Sequence, residues 1–307
     1  MSMHFLAEAL ATPWAMQQER LHAYASVLAR RYASGFKAGD HRDDTEYDDA
    51  GSPKPKAATQ RAGSPRQGAV AVIQVYGPIA QRTSMMNICD GGSSTQAISQ
   101  ALRQANADET ISAIVLDIDS PGGSVYGVAE LAAEIRASAK PVTAIANSLA
   151  ASAAYWIGTA ASEFYVTPGG EVGSIGVWMA HEDWSKAIAE QGVAVTLISA
   201  GKFKVEGNPY EALSDDARSF MQSRTDDYYG AFTRDVAKGR NVSVDQVRAG
   251  MGQGRVLGAS QAKAENMVDG VMTFDQVIRH VQKSAKPASS RSALGARQRE
   301  VDILSLE

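Results

Sequence analysis

Between residues 69 and 285 the sequence predicts an α/β domain, on three observations. Short β-rich runs alternate with segments of helical periodicity. One run, ISAIVLDID at 111–119, is apolar almost throughout, as a strand buried on both faces is. After Ser214 the pattern turns mostly helical as far as residue 285.

The elements follow in order. VAVIQVYGPI (70–79) reads as a strand and GSSTQAISQALRQANAD (92–108) as a helix. The apolar strand comes next, then SVYGVAELAAEIRASA (124–139) as a helix and PVTAIAN (141–147) as a strand. LAASAAYWIGTAA (149–161) reads as a helix. EFYVTP (163–168), VGSIGVW (172–178) and VAVTLISA (193–200) read as strands, with EDWSKAIAEQ (182–191) as a helix before the last. Strands alternating with helices in this way imply βαβ crossovers. No internal repeat is evident.

Three flanking segments differ in composition. Residues 1–38 form an N-terminal arm, with Leu21, Tyr24, Ala25 and Leu28 at helical spacing. Residues 39–68 open on the acidic block DHRDDTEYDD and continue as GSPKPKAATQRAGSPRQG. Such a stretch buries too little apolar surface to offset its ordering entropy and reads as a disordered linker. Residues 286–307 read as a flexible C-terminal tail.

Composition narrows the function. Hydrophobic residues are 44% of the 307, enough for a sizeable core, and the net charge of −4 gives no reason to expect nucleic acid as a partner. The single cysteine, Cys89, excludes an internal disulfide and fits a reducing compartment. His4, His22, His41, His181 and His280 are scattered, so no metal site is expected. The best apolar run, 149–161, is shorter than the ~20 residues that a spanning helix needs. The start MSMHFLAEALATPWAM lacks a leading Lys or Arg and carries Glu8 within its apolar run, so it reads as mature sequence with no membrane anchor.

Four short motifs could carry chemistry. In DIDSPGGSV (117–125) a strand runs into a Gly-Gly turn whose backbone N–H groups could hold negative charge; a plain strand-to-helix turn has the same sequence features. In NSLAASAAYWIG (147–158) Ser152 lies among small residues that would let a substrate backbone approach, or is an ordinary serine in an Ala-rich helix. GGEVGSIGVW (169–178) is a Gly-rich strand containing Ser174. SAGKFKVEGNPY (199–210) offers Lys202 and Lys204, which in isolation read as solvated side chains.

Their order and spacing are more specific than any one of them. SPGG, AASAAYW, GSIGV and GKFK, followed by GRVLGASQAKAENMVDGV, resemble the signal peptide peptidase A family of serine peptidases over about residues 69–285. The resemblance implies a Clp protease/crotonase-like fold with repeated β-β-α units, followed by C-terminal helices. It implies no cofactor and a Ser–Lys dyad: Ser152 as nucleophile, Lys204 as general base, Ser174 orienting the lysine, and the N–H groups of Gly123 and Ala153 as the oxyanion hole. Family members usually carry Gly-Gly after the nucleophile, whereas this chain has Ala153 and Ala154, which implies a narrower pocket. A lysine, with a free pKa of about 10.4, accepts the serine proton only when desolvated. Phe203, Val205 and the run at 193–200 are expected to supply an apolar cleft that keeps Lys204 largely neutral.

The segments HFLAEALATPWAM, AVIQVYGPIAQR, AHEDWSK and LISAGKFKVEGNPYEALS resemble the phage and prophage head-maturation branch. That likeness implies polypeptide substrates, namely scaffold and other head proteins, a homo-oligomer, self-processing, and action in the host cytoplasm inside a procapsid. Alternatives stay open: a soluble peptidase of the cellular branch, a Clp-type triad with His181 as base, a crotonase-like acyl-CoA enzyme, or a non-catalytic assembly protein.

Overall fold

The structure, a computed structural model, describes residues 13–16, 69–82 and 92–284. The predicted arm helix, the linker at 39–68 and the tail at 286–307 lie outside the described residues. In chain order the elements begin with β1 (Trp14–Met16), β2 (Ala69–Tyr76), β3 (Ile79–Ala80), β4 (Ser93–Ser94), α1 (Thr95–Ala107), β5 (Ile111–Ser120), β6 (Gly122–Ser124) and α2 (Val128–Arg136). They continue with β7 (Val142–Ala151), α3 (Ala153–Gly158), β8 (Glu163–Val166), β9 (Glu171–Gly173) and α4 (Ser185–Glu190). The C-terminal part holds α5 (Asp215–Arg240), α6 (Val244–Ala249), β10 (Val256–Gly258), α7 (Ala259–Ala264), β11 (Gly270–Val271) and α8 (Phe274–Ser284).

The expected α/β architecture is present. β5 lies between β2 and β7, all parallel, and the main sheet runs β10-β9-β7-β5-β2, with β8 and β11 branching from β7. Ile114, Leu116 and Ile118 of β5 are fully buried in the main core. On the other face Ala113 and Val115, with Ile145 of β7, pack against Val277 and Val281 of α8. Covering on both faces is why this strand reads as an unbroken apolar run. Side chains cap the helices where the sequence offers them: Ser94 accepts from the Ala97 N–H, Ser214 from the Ala217 N–H, and Ser243 with Gln246 forms a reciprocal capping box.

Four segments depart from the sequence-based expectation. β7 runs on through residues 149–151, where a helix is predicted, because its first half pairs with β8 and its second half with β9. That fork leaves only Ala153–Gly158 for α3. The predicted strand at 172–178 keeps its ladder only through Gly173; Ser174, at φ 55°, turns the chain out of the sheet. Residues 193–200 form no strand: among the described residues they have no neighbour to pair with, and all are exposed. Finally, Trp14–Met16 forms a strand that the periodicity does not predict. It pairs antiparallel with β6 in a small second sheet of order β1-β6-β3-β4. Its side chains are buried, Trp14 to 6% exposure and Met16 to 2%, and two such side chains contribute about 1.5–3 kcal/mol each of apolar burial.

Candidate active site

The sheet delivers Ser152 to a sharp corner. β7 ends at Ala151, α3 starts at Ala153, and Ser152 between them has φ 56° and ψ −119°. A non-glycine residue in this region costs roughly 1–3 kcal/mol and persists only where its surroundings fix it. They do so here. The Ser152 N–H donates to the Gly173 carbonyl at 2.7 Å, its carbonyl accepts from the Trp156 N–H at 2.9 Å, and its hydroxyl points to the Gly176 carbonyl at 3.5 Å.

α3 is anchored from below. Trp156 stacks on Phe232 of α5, centroids 4.7 Å apart and planes 7° apart, and its indole N–H donates to Asp235 at 2.7 Å. The second oxygen of Asp235 takes Arg136 of α2, also at 2.7 Å. One carboxylate thus ties α3 to α2 and α5. The Tyr155 hydroxyl adds a bond to the Met267 carbonyl at 3.0 Å. Ala153 and Ala154 are wholly buried in the main core, where their small side chains let α3 pack closely.

The Gly-Gly turn faces this corner. The Ser120 hydroxyl donates to the Gly77 carbonyl at 2.6 Å and accepts from the Gly122 N–H at 3.2 Å, fixing the bend between β5 and β6. Gly122 has φ 97°, and a Cβ there would lie 3.0 Å from Ser152 Cβ; a Cβ on Gly123 would lie 1.9 Å from the Ile79 carbonyl oxygen. Only glycine fits either position. As the first residue of a helix, Ala153 has a backbone N–H with no intrahelical partner.

Ser174 lies next to this corner but points its hydroxyl at no partner among the described residues. Its N–H donates to the Arg255 carbonyl at 2.8 Å. That carbonyl is held by a left-handed turn over residues 251–254, with φ values of 51°, 79°, 46° and 91°. Lys204 is not brought to Ser152. It is exposed, and among the described residues its ammonium makes no hydrogen bond or ion pair. The apolar cleft expected around it does not form among the described residues: Phe203 is 56% exposed and Ile198 95%. Lys202 sits over the Phe203 ring. His181 bonds the Asn208 carbonyl at 3.0 Å and does not touch Ser152 either.

The feature missed in the sequence is what lies across the corner. Trp14 exchanges both backbone hydrogen bonds with Trp178, at 3.0 and 3.1 Å, while β1 pairs with β6 through Trp14↔Ser124, Ala15↔Gly123 and Met16↔Gly122. The Trp178 indole N–H donates to the Met16 carbonyl at 2.8 Å. With β1 in place, Ser152 is 1% exposed. The available signal was Pro-Trp-Ala-Met, a rigid extended start to a short apolar run.

Farther from the corner, Arg240 clamps Asp269 with two bonds of 3.0 Å, and Asp269 accepts the Phe164 N–H at 2.6 Å. Burial pushes the Asp269 carboxyl up, but the bonds from Arg240 and Phe164 and the Arg240 charge together outweigh it, so its pKa lies below the usual carboxylate value. No group of three or more potential metal ligands occurs among the described residues, and no described helix is long and apolar enough to cross a membrane.

Comparison with known proteins agrees with this frame. Residues 70–172 match the Clp protease family model. The capsid assembly protease C of Escherichia phage lambda is 40% identical over 181 residues, 58% of this chain and 41% of that protein. The head-tail preconnector protein GP5 of Enterobacteria phage P21 is 39% identical over 181 residues, 58% of this chain and 36% of that protein. Protease 4 of Salmonella typhi is 31% identical over 222 residues, 71% of this chain and 35% of that protein. The chain therefore spans well under half the length of these relatives. Residues 134–287, half of the sequence, match the model of peptidase family S49, and the chain belongs to that family.

Proposed function

We propose that the chain is a serine endopeptidase in which Ser152 is the nucleophile, Lys204 the general base, Ser174 the residue that orients the lysine, and the N–H groups of Gly123 and Ala153 the oxyanion hole. The observation that carries this reading is the strained Ser152 corner facing the Gly122–Gly123 turn, with Gly122 crowded directly against Ser152 Cβ. In the reaction Ser152 Oγ attacks a peptide carbonyl carbon, and the oxyanion is held by backbone N–H groups that need not reorganise. Lysine takes the hydroxyl proton and passes it to the leaving amine; water then hydrolyses the acyl-enzyme.

Lys204 reaches Ser152 from a second copy of the chain. Support for this comes from the segment that carries it: Val193, Val195, Leu197, Ile198 and Phe203 are all exposed, a run too apolar to be left in water. Docked on a neighbour, the same run would strip water from the lysine, as a base requires. A homo-oligomer follows. The likeness to a protein named for capsid assembly points to scaffold and head proteins as substrates, in the host cytoplasm within a procapsid.

The test is co-expression with a scaffold protein, read by intact mass. Wild type is expected to cut, while Ser152→Ala and Lys204→Ala do not and His181→Ala does. Co-expressing the Ser152→Ala and Lys204→Ala chains restores cutting, since hybrid interfaces rebuild complete sites. Persistent cutting by Lys204→Ala removes the lysine from the mechanism; no restoration in the mixture places the lysine and the serine in one chain.

A further inference from the structure

Building on the serine-peptidase reading, we propose that Trp14–Met16 is the chain's own first substrate, seated in the cleft with the Ala15–Met16 bond opposite Ser152 and cut there. Trp14 gives both of its backbone groups to Trp178. Successive residues of an extended strand turn these groups to opposite sides. Those of Ala15 therefore turn to β6, where its register partner is Gly123. The Ala15 carbonyl also crowds Gly122: a Cβ on that glycine would lie 2.2 Å from the Ala15 oxygen and 3.0 Å from Ser152 Cβ. The one carbonyl that faces the Gly-Gly turn is thus the one beside the nucleophile.

The flanks hold this register. The Pro13 carbonyl accepts from the Val125 N–H at 3.4 Å, and the Met16 carbonyl accepts the Trp178 indole N–H at 2.8 Å. Every partner lies close to Ser152 along the chain path: β6 carries the Gly-Gly pair and Val125 follows it, and Trp178 stands two residues past Gly176, whose carbonyl meets the Ser152 hydroxyl. This is β-strand addition, the way an extended peptide docks on a sheet edge. A purely structural strand would have no reason to place its carbonyl there. With this strand in place Ser152 is 1% exposed, so no other chain reaches it. Ala15 is itself 0% exposed, so its position accepts a methyl group and little more. The cleft thereby selects a small residue before the scissile bond.

The step balances within the proposed machinery. Ser152 Oγ bonds to the Ala15 carbonyl carbon, and the bond from that carbon to the Met16 nitrogen breaks. The hydroxyl proton passes through the Lys204 amine to the Met16 nitrogen. Residues 1–15 remain as an ester on Ser152 until water adds to it, releasing an Ala15 carboxylate and returning a proton to Oγ. The chain then begins at Met16, and the cleft is free for other polypeptides.

The experiment follows full-length wild type, Ser152→Ala and Ala15→Arg by intact mass over time, together with turnover of a quenched fluorescent peptide of sequence TPWAMQ. Wild type is expected to lose residues 1–15, with peptide turnover rising in step after a lag. Ser152→Ala stays intact and inert. Ala15→Arg, whose side chain has no room in the closed strand, is not cut at 15–16 and turns the peptide over without a lag. A chain comprising residues 16–307 does the same, which covers the case in which the arginine disturbs folding. Wild type that cuts the peptide with its own 15–16 bond intact, at the rate of the 16–307 chain, overturns this inference and leaves the peptidase reading standing. Failure of all chains to cut the peptide in a Ser152-dependent way strikes the peptidase reading instead.

Discussion

Replacing Asp235 with Ala tests how the fold holds the Ser152 corner. The carboxylate accepts the Trp156 indole N–H and the Arg136 guanidinium, each at 2.7 Å, and Trp156 is 1% exposed. Its loss leaves the indole N–H buried and unpaired, which costs about 1–3 kcal/mol. It also strands Arg136, whose side chain is 18% exposed and whose other terminal nitrogen already lacks a partner among the described residues. Breaking a fully buried ion pair costs about 3–5 kcal/mol, and the residual water access here reduces that figure. Together these give about 3 kcal/mol, or a fall in Tm of roughly 6–12 °C. Asp235→Asn keeps an acceptor for the indole and should lose about half as much. The assay is urea unfolding in a Ser152→Ala background, which prevents self-digestion. In the active background the Ala variant should lose kcat beyond what its unfolded fraction explains, because α3 begins one residue after Ser152. A loss under about 1 kcal/mol, or full activity per folded molecule, would refute the idea that this carboxylate positions the helix.

Three further outcomes follow from other parts of the chain. Gly123→Ala drives a Cβ to within 1.9 Å of the Ile79 carbonyl oxygen, so β3 and β6 must part and the N–H must move; kcat should fall about 10²–10³-fold, the usual cost of losing an oxyanion donor. Gly169→Ala, with nothing within 4 Å of the new methyl, should be neutral in the same peptide assay. Asp269 is held below its ordinary pKa, so its contribution to stability is complete above the unfolded value of 3.8 and is lost as pH falls through the lower folded value. Asp269→Asn should therefore be less stable near neutrality and show a shallower acid limb below about pH 4 in pH-dependent unfolding; an unchanged acid limb would show that the Arg240 clamp does not hold the carboxyl down.

Much of the fold was legible because its signals are local. The β5 run is apolar because two layers cover it, and α1 begins where Ser94 can cap it. The Ser152 corner was legible as a motif but not as a shape. Residues 149–151 carry the Ala-rich composition of a helix, yet they extend β7 because a further partner strand, β9, waits there. Tertiary pairing overrode propensity, and a single sequence does not display its pairing partners. The Asp235 tie was invisible for the same reason, since its three members are scattered over 99 residues of chain.

Residues 193–204 and 14–16 are a matched pair of exceptions. Residues 193–204 have the composition of a strand with a buried lysine at its end, yet the run from 193 to 203 is exposed along its whole length. Residues 14–16 have the place in the chain of a loose arm, yet they are among the most buried stretches of the molecule. Apolar sequence predicts that a surface will be covered, not what will cover it. For residues 14–16 the cover is β6 and Trp178 of the same chain, beside Ser152; for residues 193–204 no covering surface occurs within the described part of that chain. If both follow from one design, the protein is built to be incomplete twice over. Ser152 is closed by its own strand and lacks its base until another copy docks. Peptidase activity would then depend on assembly before cleavage, the order that a protease packed among its own substrates needs. The dependence has a kinetic signature. Diluting the full-length wild type should lengthen the lag before cleavage at 15–16, as a bimolecular step requires. The lag of an intramolecular dyad would not change with concentration.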